Sequence, residues 1–449
     1  MKIDRTLSSG PNAVAPRSAS DAVYGKITAR LVPLLFLCYL TAFINRNNIG
    51  LAKLQMQTSL GFSDAVYGIA ASMFFIGILL FEVPSNLLLR RIGARTTILR
   101  IMMLWGITAA ATLFVTKPLH FYVLRFLLGA FEAGFFPGVI LYLTFWFPEE
   151  RRARVIALFM TAAAAAGLVT GPVSGLILKS LNHVWGLDGW QWLMLLEGLP
   201  SMVLGIVAFF VLPEKPANAR WLSLSERRVV QDALHGAAAP AVANQPLRQV
   251  LRDPHVYLLG FTTFSLGCAT NLLIFWMPSI IEATGISDLQ HVGLYVLIPN
   301  LLGTIAMVIY GRHSDRHQER RWHFIVTASI GAAGVAAIAL LHATLVGVLI
   351  ASVAATCGVA SAYPIFWAIT TRYLSSGAAA AGIALISSIG ALAGTSSALV
   401  GAIKAHTGSL DVALYLVAAQ LVAGILVLAV FVRTDASDMK TQISNRETR

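Results

Sequence analysis

Long apolar runs recur along this chain with short polar breaks between them, at roughly 27–50, 65–89, 96–116, 119–144, 153–178, 190–212, 255–282, 291–311, 322–341, 344–370, 378–402 and 410–432. A helix crosses a hydrocarbon core of about 30 Å with about 20 apolar residues, and a lone segment in lipid satisfies its backbone hydrogen bonds only as a helix. The pattern predicts an all-α membrane protein with twelve transmembrane helices. One longer polar stretch splits them into two sets of six. The expected organisation is a disordered tail at 1–26, a first six-helix bundle at 27–212, a central loop at 213–253, a second bundle at 254–433 and a closing tail at 434–449.

The two halves repeat one another at a basic position. Asn86-Leu-Leu-Leu-Arg90-Arg91-Ile-Gly93-Ala-Arg95 and Gly311-Arg-His-Ser-Asp315-Arg316-His-Gln-Glu319-Arg320-Arg321 each fall between the second and third run of their own half. A hinge repeated within a duplicated six-helix unit suits one half rocking against the other around a fixed site. Arg91, Gly93 and Arg95 in the first copy, and Gly311, Asp315 and Arg316 in the second, are the candidate conformational residues.

Composition supports this reading. The 449 residues are 57% hydrophobic and only 12% charged, with a mean hydropathy of +0.73, too apolar for a soluble chain. A net charge of +12 raises the question of nucleic acid, but its distribution answers it. Arginines crowd alternate loops (Arg90, Arg91 and Arg95; Arg151, Arg152 and Arg154; Arg312, Arg316, Arg320 and Arg321), while the intervening loops hold isolated lysines such as Lys53, Lys117, Lys179 and Lys404. This is the positive-inside asymmetry. It places both termini in the cytoplasm and makes the basic excess a matter of topology, so no nucleic-acid partner is expected. The expected partners are the bilayer and a small solute, and the expected working form is a monomer.

Cys38, Cys268 and Cys357 fall inside separate helices and imply neither a disulfide nor a metal site. The first run lacks a cleavage site and is read as an uncleaved helix. His313 and His317 stand four residues apart, but in an arginine-rich turn read as solvated, so no metal is expected. No HExxH, nucleophile elbow or phosphate loop is present, which argues against an enzyme. In the central loop, Ser223 and Glu226 have capping-box spacing and predict a surface helix, followed by a flexible Ala/Pro tract at 236–246. Gly167, Gly171 and Gly175 in the fifth helix, and Gly382, Gly390 and Gly394 in the eleventh, offer close packing or a sliding interface between the halves.

Few ionisable residues lie within the runs, and each is costly enough there to need a reason. Arg46 sits in Ile44-Asn45-Arg46-Asn47-Asn48-Ile49. Arg125 and Glu132 lie seven residues apart in the fourth helix, on one face and about 10 Å apart along its axis. Two readings of Arg46 stand open: an ion pair with Glu132, or a planar receptor for a substrate carboxylate. Glu132 is the candidate proton carrier. Arg125 either holds Glu132 charged or draws anions inward. Glu82 and Glu197 are expected to brace helix ends.

Several stretches resemble the bacterial anion:cation symporter family within the major facilitator superfamily: Phe74-Phe-Ile-Gly77, Phe81-Glu-Val-Pro-Ser-Asn86, Phe131-Glu-Ala-Gly-Phe-Phe-Pro-Gly138, Glu197-Gly-Leu-Pro200, Trp221-Leu-Ser, Phe275-Trp-Met-Pro278 and Ala381-Gly-Ile-Ala-Leu385, besides the Gly311 loop. The resemblance covers residues 25–433. It implies the twelve-helix fold and inward, proton-coupled carriage of sugar acids, dicarboxylates or aromatic carboxylates. It also implies a substrate-binding role for Arg46 and proton coupling through Glu132, with protons as the coupling ion and no other cofactor. Arg46, Asn48, Asn271, Trp367 and Ser387 are the expected substrate-facing residues, with Arg125 beside Glu132. The chain departs from the family in having Asn45 where an aspartate is usual. Phe43, Ile78, Ala163 and Asn271 stand where sugar-acid carriers have tyrosine or glutamine, and these replacements count against a polyhydroxylated substrate. Anion exchange, suggested by Gly171-Pro172-x-x-Gly175, and a non-transporting sensor are the alternatives.

Overall fold

The computed structural model describes residues 17–236, 251–317, 319–374 and 379–431. The expectations for tail residues 1–16 and 434–449, and for the linker at 237–246, lie outside them. Among the described residues the fold is entirely helical. Twelve helices are long and apolar enough to cross a membrane, labelled here as α1 (Ser20–Leu60), α2 (Asp64–Leu89), α3 (Ala94–Phe114), α4 (Pro118–Thr144), α5 (Glu149–Ser180), α6 (Gly189–Val211), α7 (Pro254–Glu282), α8 (Leu289–His317), α9 (Arg321–Leu340), α10 (Leu345–Tyr373), α11 (Gly382–Thr407) and α12 (Asp411–Val430). Local chemistry fixes many of their ends. The Ser63 hydroxyl accepts from the Val66 amide to start α2, Asp188 and Gln191 form a capping box on α6, and Asp253 followed by Pro254 opens α7. Between the halves, Ser223 and Glu226 close a capping box (Glu226 N–H to Ser223 Oγ, 3.2 Å; Ser223 N–H to Glu226 Oε2, 2.7 Å) on the helix Leu224–Gly236. Lys26 Nζ reaches both Glu226 oxygens at 2.9 Å and ties that helix to the start of α1. The Ser223 amide, the Lys26 ammonium and the Ser223 hydroxyl together hold the Glu226 carboxyl below its ordinary range.

The structure revises the boundaries of α1. Its helix begins at Arg17, inside the expected tail, and runs past a turn at Asn48 to Leu60 rather than stopping near residue 50. The sequence reading placed Lys53 in a loop. Lys53 is instead 1% exposed, because the second half supplies its surroundings. Its ammonium pairs with Asp64 at 2.6 Å, donates to Ser279 Oγ at 2.9 Å and stands 4.1 Å from the centre of the Trp276 ring. A buried cation persists where hydrogen bonds and a counter-charge replace its water.

Lys53 belongs to a seal between the halves. Lys404 joins Asp64 at 3.4 Å, the Tyr67 hydroxyl donates to the Phe275 carbonyl at 2.9 Å, and Lys179 pairs with Asp288 at 2.5 Å. These links cluster at the end of the molecule opposite the arginine-bearing loops. The glycines of α5 lie in the same seal. A Cβ on Gly171 would sit 2.4 Å from the Gly293 carbonyl oxygen, and one on Gly175 2.7 Å from that of Leu289, so both helices approach backbone to backbone. The α11 series divides. Gly394 faces Phe75 of the other half, whereas Gly382 and Gly390 face Leu374 and Thr263 of their own.

Gly171→Val should force α5 from α8, an overpacking that costs about 1–3 kcal/mol in the sealed arrangement. Cysteines at Lys179 and Asp288 should then cross-link clearly more slowly than in the Gly171 parent. An unchanged rate would show that this contact does not hold the seal.

Candidate functional site

One span, α4, loses regular helix near the middle of the first half, and the charged residues gather beside that break. In α4 regular helix ends at Glu132 and resumes at Phe135. Between them Gly134 takes φ +87°, and a Cβ there would lie 2.4 Å from Ser85 Oγ, so glycine is required both by conformation and by space. In α1 the helical hydrogen bonding runs on through Asn48, whose amide donates to the Ile44 carbonyl at 2.9 Å and whose carbonyl accepts from the Ala52 amide at 3.0 Å, so Arg46 stands within a continuous span. Interrupted helices at mid-membrane depth are a recurrent way to build transporter sites, because they free polar groups away from lipid.

Arg46 Nη2 donates to Glu132 Oε1. The Arg46 side chain is 21% exposed and that of Glu132 6%. The guanidinium carbons of Arg46 and Arg125 lie 5.2 and 5.0 Å from the centre of the Phe74 ring, and Phe43 covers Arg46 at 4.7 Å. Arg125 is 2% exposed. Its Nε and Nη2, with Arg46 Nε, are buried without a hydrogen-bond partner among the described residues. The cluster thus encloses two guanidinium groups and one carboxylate, leaving one positive charge and several N–H donors for an anion.

The other expected substrate-facing residues are not brought together with it. Asn48 is 1% exposed and turned away, donating to Glu197 Oε2 at 2.5 Å. Asn271 is buried in α7 and makes no side-chain hydrogen bond among the described residues; it lies one turn from Phe275, which packs against Phe75 of the first half. Trp367 stands one and a half turns from the arginine-bearing end of α10, its ring against Phe366. Ser387 is exposed on α11.

Glu197 is a correction. It sits eight residues into α6, not at a helix end. It is 6% exposed, and its carboxylate accepts from Asn48 and from Ser174 Oγ at 2.9 Å. Asn45 faces the same place, donating to the Glu197 carbonyl at 2.8 Å and to the Thr41 carbonyl at 2.9 Å. Residue 45 therefore points at α6 rather than at the Arg46–Glu132 pair. Glu82 is exposed and braces no helix end among the described residues.

The two hinges differ. The first is a true break, with Gly93 at φ +83° between α2 and α3. Glu214, from beyond α6, accepts from the Ala94 amide at 2.8 Å, and a Cβ on Gly93 would lie 2.3 Å from the same oxygen. That carboxylate occupies a helix N-terminus, where negative charge is favoured. Arg95 covers Phe209 at 4.1 Å, and Arg91 is exposed. The Arg90 side chain lies outside the described residues. In the second copy, Gly311, Asp315 and Arg316 belong to the last two turns of α8 rather than to a loop. Asp315 pairs with Arg320 at 3.7 Å, Arg320 donates to the Ala368 carbonyl at 2.9 Å, and Arg321 donates to that of Ala429.

The residues at these sites that the sequence does not single out are Phe74, Lys53 and Glu214. Phe74 carries no charge to mark it and stands out only within Phe74-Phe-Ile-Gly77. The signal for Lys53 is present, since it lies three residues beyond the first apolar run in helix-compatible sequence with Gln55 and Gln57.

Comparison with known proteins agrees with the architecture. The sequence model of the Major Facilitator Superfamily matches residues 35–398. A protein of Pseudomonas putida named for metabolite transport, NicT, is 43% identical over 414 residues, covering 92% of this chain and 94% of that protein. A protein of Agrobacterium vitis named for tartrate transport is 44% identical over 414 residues, covering 92% and 95%. The crystal structure of a D-xylose–proton symporter superposes with a TM-score of 0.71 at 16% identity, covering 90% of this chain and 98% of that one, a likeness of fold. Twelve spans in two sets of six, repeated hinges and this match over most of the chain make it a membrane transport protein, not an enzyme, and a member of the major facilitator superfamily.

Proposed function

We propose that this protein imports a small organic carboxylate together with protons, as members of the anion:cation symporter branch do. The observation that carries the reading is the enclosed cluster of Arg46, Arg125 and Glu132 around Phe74, with its excess positive charge and its unpartnered N–H groups. A carboxylate accepts from a guanidinium fork in two parallel hydrogen bonds. When the substrate engages Arg46, Glu132 loses part of its counter-charge and takes a proton more readily. Coupling then follows from one guanidinium shared between two anions. The names of the relatives, one of them tartrate transport, agree with an anionic cargo.

With the arginine-rich loops facing the cytoplasm, the seal around Lys53, Asp64 and Lys404 closes the outer end, and this is the state that releases cargo inward. Opening requires Lys53 to leave Ser279 and the glycine contacts of α5 and α8 to part. Phe43, Ile78 and Ala163 supply dispersion contacts but no hydrogen bonds, which favours compact, sparsely hydroxylated acids. The α5 motif that suggested exchange packs against Gly293; import is the preferred reading because the titratable Glu132 shares Arg46 with the substrate.

Arg46→Lys keeps the charge and loses the fork. A hydrogen bond to a charged group contributes about 1.5–3 kcal/mol, so uptake of an aromatic carboxylate into proteoliposomes should fall about tenfold or more at normal insertion. Undiminished uptake would remove Arg46 from the site, and strongest competition by a sugar acid would exclude the apolar substrate class.

Glu132→Gln presents the neutral state permanently. Accumulation driven by a pH gradient should disappear while counterflow of labelled substrate persists. A variant that still concentrates substrate against its gradient would place coupling elsewhere.

Stoichiometry follows from which carboxylates titrate. With Asn45 an amide, Glu132 alone gives one proton per monoanion and no net charge movement. A valinomycin-imposed potential, worth about 2.3 kcal/mol per charge at 100 mV, should then leave uptake unchanged at constant pH. Stimulation by inside-negative potential would reveal a second carrier. Glu197 is the enclosed candidate, and Glu197→Gln should then abolish that stimulation.

A further inference from the structure

Three imidazoles converge at the arginine-bearing end of the second half, away from the site described above. His313 and His317 occupy the last turns of α8, one helical turn apart, and the start of α9 brings His323 against them. One ring nitrogen of each lies within 4.8 Å of the others. His313 Nδ1 and His323 Nε2 face each other at 2.7 Å.

The hydrogen bonds around the cluster select the lone pairs. His317 Nδ1 donates to the His313 carbonyl at 2.9 Å, and His323 Nδ1 donates to Glu319 Oε2 at 2.7 Å. With Nδ1 protonated in His317 and His323, Nε2 carries the lone pair in both. That of His323 accepts from His313 Nδ1–H at 2.7 Å, and a bound ion takes the place of this proton, which His313 then carries on Nε2. Imidazoles held by a backbone carbonyl or a carboxylate on the far nitrogen are the arrangement found behind metal-ligating histidines. Glu319 lies between the spans, and its carboxylate also accepts from the Trp322 amide at 2.6 Å and from the His323 amide at 3.1 Å.

The arginines that made this turn look merely solvated are partly committed elsewhere. Arg320 reaches Ala368 and Asp315, and Arg321 reaches Ala429. Asp315 and Glu319 set two carboxylates among them.

We propose that His313, His317 and His323 form a binding site for a divalent transition-metal ion of the zinc class, with Glu319 orienting His323. At Zn–N distances of about 2.1 Å in tetrahedral geometry, ligand nitrogens sit about 3.4 Å apart, a separation that the present contacts bracket. The His313–His323 pair opens slightly, His317 closes in, and water takes the fourth position. The ion links the end of α8 to the start of α9 across the second hinge.

The test uses the full chain in detergent, with its affinity tag removed and metal stripped by chelator. Zn²⁺ is titrated against a chromophoric competitor. One equivalent should bind. His323→Ala should weaken binding at least tenfold, and Glu319→Gln by about 10–100-fold, the usual effect of losing an orienting partner. His342→Ala, remote from the cluster, should bind like the parent. If His323→Ala does not elute as folded protein, His317→Ala on the exposed ring replaces it. Absence of stoichiometric binding, or equal affinity in the His323 or His317 variant, would overturn the site.

Discussion

Taking Arg46 and Glu132 out of water costs several kcal/mol for each ion even after relaxation, and their attraction offsets this only with good geometry and further hydrogen bonds. The neighbouring features are explicable as answers to that constraint. The Phe74 and Phe43 rings offer their faces to the guanidinium groups. The break in α4 at Gly134 ends the helix directly after Glu132. Arg125 sits close enough to share the carboxylate's field, and its Nε and Nη2 have no hydrogen-bond partner among the described residues.

The seal between the halves follows the opposite logic. Part of it is made of backbones pressed together through Gly171, Gly175 and Gly293. Such surfaces separate without unthreading side chains. Lys53, paired with Asp64 of its own half, reaches Ser279 and the Trp276 ring across the interface, and these contacts exist only where the halves meet. Separation returns the ammonium to water, so the cost of parting its partners is offset by hydration. This makes the closed end reversible in a way that a purely hydrophobic seal would not be.

The hinges show that a repeated motif can be served by different atoms. Where the first copy carries Arg90 in place of aspartate, a carboxylate still reaches the nearby α3 N-terminus, supplied by Glu214 from beyond α6. In the second copy Asp315 remains, paired with Arg320. Position along the chain identified the hinge, whereas the origin of the negative charge depended on which distant segment packs there.

The twelve spans, their division into sixes and the charged candidates Arg46, Arg125 and Glu132 were legible in the sequence, because long apolar runs and isolated intramembrane charges have few physical solutions. The capping box at Ser223 and Glu226 was legible for the same reason: its chemistry is local. The contacts that cross the fold were not. Lys53 resembles a loop lysine until α7 is placed beside it, and Glu197 resembles a brace until Asn48 and Ser174 enclose it. Asn45 resembles a lost proton site until it is seen turned toward α6, and His323 is an isolated residue until α9 folds back on α8. The sequence by itself determined which segments enter the membrane and which charges must be accounted for there, since the cost of burial is a property of each residue. Only the tertiary structure decided which of those charges meet, because pairing depends on the rotation and breaks of helices that are far apart in the chain.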